Sequence, residues 1–195
     1  MLDLITKSKT RKKIILLLFY NPHKSYYLRE IARLIGVSAG QARQELEKLK
    51  KSGVLLSEKR GNLVYFQVNT ASPLYRDLKN VIDKTIGLKV ILAEELKKLA
   101  GLDFAFLFGS YVKGDFGPES DIDLYLIGEV KEEEVHQAVK AAEQRIYRAV
   151  DYHLADQEEF REKLARTFFH QEILKNYILI IGDEDEFRQL ISKTA

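Results

Sequence analysis

The chain has 195 residues, 46% of them hydrophobic and 31% charged, which is typical of a globular protein and excludes disordered and fibrous classes. The absence of cysteine excludes disulfides and thiolate metal sites, and the first 13 residues do not resemble a secretory signal, so a cytoplasmic protein is expected. The longest apolar run, Ile14–Tyr20, is far shorter than the roughly 20 residues needed to cross a bilayer, so no membrane association is expected.

The net charge of +2 is unevenly distributed along the chain. Residues 1–72 contain 14 Lys and Arg against 5 Asp and Glu, whereas the remainder contains 17 against 24. A basic segment joined to an acidic one favours two domains, the first suited to binding a polyanion and the second to attracting cations. Two differently charged solvated surfaces would give the same distribution.

Hydrophobic periodicity predicts three helices and then a β-hairpin in residues 1–72. Gly36 is expected to end the second helix, and Ser38 is expected to cap the start of the third. The expected elements are the helices Lys9–Tyr20, Tyr26–Ile35 and Ala39–Lys51, the apolar segment Val54–Leu56, the polar tip Ser57–Asn62 and the strand Leu63–Val68.

This order of elements resembles the winged helix-turn-helix of bacterial and archaeal regulators of the arsenic-repressor or multiple-antibiotic-resistance type. The helix-turn-helix would consist of Ser25–Ile35, the turn Gly36-Val37-Ser38 and Ala39–Lys51. In such folds the second helix of the motif enters the major groove of double-stranded DNA. Residues 1–72 are therefore expected to form a DNA-binding domain, with a winged helix used only for protein contact as the alternative.

Polar and basic side chains near the start of the third helix and at the hairpin are the candidate DNA contacts. Gln44 suits adenine and Arg43 suits guanine or phosphate, while the hairpin bases would reach phosphates or the flanking minor groove. Because winged helices usually bind DNA as dimers, a homodimer through Lys9–Tyr20 and Pro73–Ile86 is expected. The candidate contacts are Ser38, Gln41, Arg43, Gln44, Lys59 and Arg60.

The rest of the chain has a different pattern. Residues 73–100 are expected to form a helical linker with helices Pro73–Ile86 and Leu88–Ala100. Strands then alternate with helices over residues 101–195, which indicates an α/β or α+β layered domain. The expected strands are Phe104–Phe108, Ile122–Ile127, Asp151–Leu154 and Tyr177–Ile181, and the expected helices are Glu132–Val150, Gln157–Phe169 and Asp185–Ser192.

The most informative stretch follows the strand Phe104–Phe108. Gly109-Ser110 lies where a helix is expected to start, and there a glycine lets a phosphate approach the backbone while a serine supplies a hydroxyl and an N–H. Asp121 and Asp123 are two residues apart around the next strand, so their carboxylates project from one face. Two acids side by side in an apolar sheet are unfavourable without a cation, and Mg²⁺ suits such ligands.

The segments GSYVKG and SDIDLYLI resemble the signature of the DNA polymerase β-type nucleotidyltransferase superfamily, and most closely its minimal nucleotidyltransferase branch. The resemblance covers roughly residues 88–182 and implies a mixed sheet flanked by helices, which makes the whole chain α+β. It also implies a third carboxylate, matched here by Asp151 at the start of a later strand. Lys113 stands where the family often carries Arg; it supplies charge for a phosphate without a bidentate fork.

The resemblance implies two-metal phosphoryl chemistry with two Mg²⁺ ions. An acceptor hydroxyl attacks the α-phosphorus of a nucleoside triphosphate, pyrophosphate leaves, and a nucleoside monophosphate, expected to be AMP from ATP, is transferred. The implied catalytic and metal-binding residues are Asp121, Asp123 and Asp151, and the implied nucleotide-binding residues are Gly109, Ser110 and Lys113.

Two other functions stay open at the level of sequence. One is a transcriptional regulator whose second domain binds a nucleotide as an effector without turnover. The other, suggested by the resemblance to minimal nucleotidyltransferases, is an antitoxin-like partner of a helical protein, whose tyrosine or a similar group would be the acceptor. Intact acids at positions 121, 123 and 151 favour catalysis over the pure regulator.

The four histidines show no metal-ligand spacing. His153 shares a strand face with Asp151 by its position, yet a structural histidine is the favoured interpretation. His23, His136 and His170 are interpreted as ordinary residues.

Overall fold

A computed structural model of the chain describes residues 6–117 and 120–192. Three short stretches lie outside the described residues: 1–5, 118–119 and 193–195. The first belongs to the N-terminal segment that does not resemble a secretory signal, and the second belongs to the expected nucleotidyltransferase motif. The chain divides into two compact units: one comprises residues up to Val90 with Arg145–Tyr147, and the other comprises Ile91–Gln144 and the residues from Arg148 onwards. Over the described ranges, no helix is both long and apolar enough to span a membrane.

The first unit combines helices with a small antiparallel sheet. Its elements are α1 (Lys9–Phe19), β1 (Tyr26–Tyr27), α2 (Leu28–Ile35), α3 (Ala39–Lys51), β2 (Leu55–Arg60), β3 (Leu63–Val68) and α4 (Tyr75–Thr85). Helix α1 packs against α2 and α3, and every residue from Ile14 to Tyr20 is buried. Strand β3 lies between β1 and β2 and pairs with both antiparallel.

The predicted helix caps of this unit are confirmed. Gly36 ends α2 in the left-handed conformation with φ 65°, which glycine adopts at little steric cost. Ser38 caps α3: its side chain accepts a hydrogen bond from the Gln41 N–H, and the Gln41 side chain accepts one from the Ser38 N–H. This reciprocal pair is a capping box.

The prediction that a helix begins at Tyr26 is wrong. Tyr26 and Tyr27 form β1 because they pair with Phe66 and Tyr65 of β3, and α2 begins only at Leu28. Two aromatic residues suit a strand as well as a helix, and the partner strand, far along the chain, decides between them.

The predicted polar tip of the hairpin is also too long. Strand β2 continues through Arg60, which pairs with Leu63, so only Gly61-Asn62 connects the two strands. A two-residue connection with glycine is a common hairpin turn. The next helix is predicted to begin at Pro73, but α4 begins at Tyr75.

The second unit is built on a four-stranded mixed sheet in the order β6-β5-β4-β7. Strands β5 and β6 are parallel, whereas β4 pairs antiparallel with both β5 and β7. Helix α5 (Leu88–Leu96) begins in the first unit and ends in the second, and it is shorter than the predicted helix Leu88–Ala100. The remaining elements are β4 (Leu102–Phe108), α6 (Gly109–Lys113), β5 (Ile122–Gly128), α7 (Glu132–Ile146), β6 (Val150–Ala155), α8 (Gln157–Arg166), α9 (Phe168–Ile173), β7 (Ile178–Ile181) and α10 (Glu184–Ser192).

One face of this sheet carries an aromatic core. The rings of Phe106 on β4 and Tyr125 on β5 stack with centroids 5.4 Å apart and planes 3° from parallel. Apolar side chains of α8, α9 and α10 complete the same cluster. Its buried members are Phe104, Phe106, Phe108, Tyr125, Ile127, Ala155, Phe160, Leu164, Ile173, Phe187 and Leu190.

The predicted single helix Gln157–Phe169 is two helices, α8 and α9. Thr167 separates them with extended backbone angles (φ −120°, ψ 131°), and its hydroxyl accepts a hydrogen bond from the His170 N–H as the cap of α9. A threonine hydroxyl competes with helical hydrogen bonding in this way, which periodicity alone does not reveal. Helix α7 likewise ends at Ile146, before the predicted Val150.

Candidate active site

The sheet register brings two of the predicted acids side by side. Asp123 on β5 lies opposite Asp151 on β6 in the parallel pairing, and opposite Phe108 at the end of β4 in the antiparallel pairing. Adjacent strands are about 4.8 Å apart, and directly paired residues project to the same face of a sheet. Asp121 lies two residues before Asp123, at the entry to β5.

The other two acids both act on Asp123. Burial raises the pKa of the Asp123 carboxyl, and the negative charges of Asp151 and Asp121 raise it further. His153 and a hydrogen bond from the Ser110 N–H act in the opposite direction. Asp123 is half-buried, whereas Asp121 and Asp151 are exposed.

The carboxylates are neighbours, but they do not form a closed ligand cage. Among residues 6–117 and 120–192, no three acidic or histidine side chains are arranged as a ready metal-binding group. Mutual repulsion between uncompensated carboxylates opposes such closure. Their oxygen atoms nevertheless match the ligand chemistry of a hard divalent cation.

Gly109 is fitted against Asp123. Its φ of +71° lies in the left-handed region, and a Cβ added there would overlap Asp123 Oδ2 and lie 2.8 Å from Asp123 Cγ. Gly109 is therefore the residue that lets α6 begin directly beside the acid. Ser110 follows it, half-buried, and Lys113 at the end of α6 is exposed.

Arg148, which the sequence reasoning did not single out, ties the two acid-bearing strands together. Its guanidinium donates hydrogen bonds to the carbonyls of Ser120 (3.0 and 2.6 Å) and Gly117, and lies 4.5 Å from the centre of the Phe116 ring. The residue is only 8% exposed. Arg148 thereby fixes the backbone that immediately precedes Asp121, from a position three residues before Asp151.

A protein-family model covers the part of the chain that contains this site. The nucleotidyltransferase domain model matches residues 90–192, more than half of the chain and all of the acids and the Gly109-Ser110 turn. The chain belongs to the nucleotidyltransferase domain family. It is accordingly a nucleotidyltransferase, an enzyme that transfers nucleotidyl groups.

Solved structures resemble this nucleotidyltransferase only weakly. A toxin–antitoxin complex with AMP-PNP is 19% identical over 54% of this chain and 82% of that chain, with a TM-score of 0.43. A tri-AMPylated HEPN toxin with MNT antitoxin from Shewanella oneidensis is 17% identical over 54% and 82%, with a TM-score of 0.36. HlyU from Vibrio cholerae is 16% identical over 40% and 76%, with a TM-score of 0.33. No curated protein matches the chain.

Two histidines of the nucleotidyltransferase domain differ in their surroundings. His170 is buried, with Nε2 3.0 Å from the Tyr125 hydroxyl and Nδ1 2.6 Å from the Thr167 hydroxyl. His153, favoured from sequence as a structural histidine, is instead exposed, and its ring stacks on Tyr125 with centroids 5.6 Å apart. His170 has the buried and hydrogen-bonded surroundings of a structural histidine.

The candidate DNA contacts of the first unit occupy two kinds of position. Arg43 and Gln44 are exposed on α3, whereas Ser38 and Gln41 are exposed but hydrogen-bonded to each other in the capping box. Lys59 and Arg60 lie within β2 rather than at a loop tip, and both are exposed. Arg60 pairs with Glu58 at 2.6 Å and lies 5.0 Å from the centre of the Tyr65 ring.

Proposed function

We propose that the nucleotidyltransferase transfers AMP from ATP to an acceptor hydroxyl at the site formed by Asp121, Asp123 and Asp151. The observation that carries the proposal is the direct pairing of Asp123 with Asp151 beside Gly109, because it places acids next to a backbone turn without side-chain bulk. Nucleotidyl transfer needs such a combination, since developing negative charge must be stabilised where a phosphate approaches.

We propose Mg²⁺ as the cation, with two ions held by the three carboxylates. The raised pKa of Asp123 supports this, because the ionised carboxylate is destabilised by burial and by two neighbouring negative charges, and a divalent cation relieves both effects. When bound, Mg²⁺ would neutralise charge on the triphosphate and on the attacking oxygen.

The residues around the acids would then bind and orient the nucleotide. Gly109 lets α6 begin directly beside Asp123. The Ser110 hydroxyl is then available to a phosphate, and Lys113 adds positive charge. The acceptor oxygen forms a bond to the α-phosphorus while the bond to pyrophosphate breaks, and Asp151 accepts the proton of the acceptor hydroxyl.

The test is the fate of a radioactive label. Incubation of a lysate with α-labelled ATP and the purified chain should label an acceptor, whereas γ-labelled ATP should not, and chelation of divalent cations should abolish labelling. A labelled protein band would identify a protein acceptor, such as a helical partner. Metal-independent ATP binding without any label transfer would instead support the regulator that only senses nucleotide.

For the first unit we propose binding to double-stranded DNA as a homodimeric winged helix-turn-helix. The exposed side chains of Arg43 and Gln44 on α3 and the exposed Lys59 and Arg60 on β2 support it, together with the basic charge of residues 1–72. Arg43→Ala with Lys59→Ala should weaken duplex binding and reduce the slope of its salt dependence by about 2. An unchanged slope would favour a protein-contact role for this unit.

A further inference from the structure

Two aromatic side chains at the start of α9 are exposed. Phe168 is 75% exposed and Phe169 is 44% exposed, although Ile173 of the same helix belongs to the buried aromatic core. Single exposed aromatic residues are common on protein surfaces and need a second observation before they indicate a site. For Phe169, that observation is its set of neighbours.

Phe169 contacts the strand residues that flank the acids. Its ring meets Phe108 edge-on with centroids 5.9 Å apart, and His153 with centroids 5.5 Å apart. Phe108 is the register partner of Asp123, and His153 lies two residues beyond Asp151 on β6, about 6.5–7 Å along the strand. The exposed parts of Phe169 and His153 therefore adjoin the acids on the same face of the sheet.

A hydrogen-bond network beside this aromatic pair links the start of α9 to the sheet. Thr167 caps α9 and contacts His170, which in turn contacts the Tyr125 hydroxyl on β5. The residue after Phe169 is thus tied to the centre of the sheet, and Tyr125 also stacks under the His153 ring. Both rings stand on one fixed support, which lowers the entropy lost when a ligand packs on them.

We propose that Phe169 and His153 form the surface that takes the base of the nucleoside triphosphate, an inference that rests on the proposed function. The base is the part of the nucleotide with two flat aromatic faces, and it is separated from the α-phosphate only by a ribose. Stacking on aromatic side chains tolerates any base but favours the larger purines. The surface therefore predicts a preference for purine over pyrimidine triphosphates, and no discrimination between ATP and GTP.

The experiment compares ligands with and without a base. Binding of α,β-methylene-ATP, which cannot transfer AMP, and of inorganic tripolyphosphate is measured by calorimetry in the presence of Mg²⁺. Phe169→Leu should weaken binding of the ATP analogue about tenfold and leave tripolyphosphate binding unchanged, because only the analogue has a base to stack. Phe169→Trp should restore the affinity. Phe168→Leu is the matched control and should leave both affinities unchanged.

The outcomes separate this inference from the proposed function. Equal binding of the analogue by wild type and Phe169→Leu would overturn the base surface while leaving the acidic site intact. Equal weakening of both ligands by Phe169→Leu would also overturn it, since the effect would then be a general disturbance of the site. A wild-type chain that binds neither ligand would overturn the proposed function and this inference together.

Discussion

Gly109→Ala probes the contact between the start of α6 and the acidic site. The added Cβ would overlap Asp123 Oδ2 and lie 2.8 Å from Asp123 Cγ, whereas ordinary contacts begin at 3.4 Å. The Asp123 Cγ or the backbone at position 109 must therefore move by at least 0.6 Å, the difference between these two separations, and the overlap with Oδ2 is larger still. Misplacement of a reacting group by about 1 Å lowers rates by about 10²-fold, so we expect a loss of this order in label transfer.

Gly109→Ala also strains the backbone, and Gly114→Ala is the control that has the backbone strain without a contact to Asp123. Gly114 ends α6 with φ +85°, and a Cβ added there meets no atom within 4 Å. Left-handed backbone is unfavourable for alanine by roughly 1–2 kcal/mol at either position. Each variant should therefore melt about 2–8 °C below wild type for a chain of this size.

The assay is AMP transfer from α-labelled ATP under saturating substrate, with melting temperatures measured in parallel. Gly114→Ala should retain near wild-type transfer despite its lower melting temperature, and Gly109→Ala should lose about 10²-fold. Similar transfer by the two variants would show that displacement of Asp123 does not affect the reaction.

Two further predictions concern Arg148 and His170. Arg148→Ala should lower the maximal transfer rate at least about tenfold. Arg148→Lys should recover little of that rate, because a lysine lacks the planar guanidinium that holds both carbonyls. Wild-type kinetics in Arg148→Lys would show that positive charge alone suffices. Burial lowers the pKa of His170 below 6.5, the charges of Lys163 and His153 lower it further, and Glu159 opposes them. The unfolded chain therefore binds the proton more readily, so stability from neutral His170 is complete above pH 6.5 and is lost as pH falls towards the lowered folded value. Melting temperatures from pH 8 to 5 should fall more steeply in wild type than in His170→Gln, and parallel curves would contradict this.

Local chemistry let the sequence predict several features of the fold. Helix caps at Gly36 and Ser38 follow from backbone conformation and side-chain hydrogen bonding within a few residues. The layered order of strands and helices in the second unit follows from their alternation along the chain. Its mixed sheet is implied only by the resemblance to the nucleotidyltransferase superfamily. The caps and the order of elements depend on neighbours in sequence, which a single chain displays directly.

Features decided by distant partners were not predicted from the sequence. Tyr26 belongs to a strand only because β3 pairs with it, and the hairpin turn is short only because β2 and β3 pair through Arg60. The bonds from Arg148 to the backbone before Asp121, and the exposure of Phe169 beside His153, likewise require the folded sheet. An isolated arginine or phenylalanine has no periodic signal that marks such a role.

The proposed role of the three acids in nucleotidyl transfer is decided by AMP transfer in their amide variants. Asp121→Asn, Asp123→Asn and Asp151→Asn should each lower transfer on the order of 10²–10³-fold. Asp123→Asn should melt no lower than wild type, since it removes a half-buried charge repelled by its neighbours. Asp103→Asn, whose carboxylate accepts a hydrogen bond from Gln157 at 2.8 Å, is the matched control and should transfer AMP normally. Transfer at the wild-type rate by the three site variants would show that these acids do not carry the reaction.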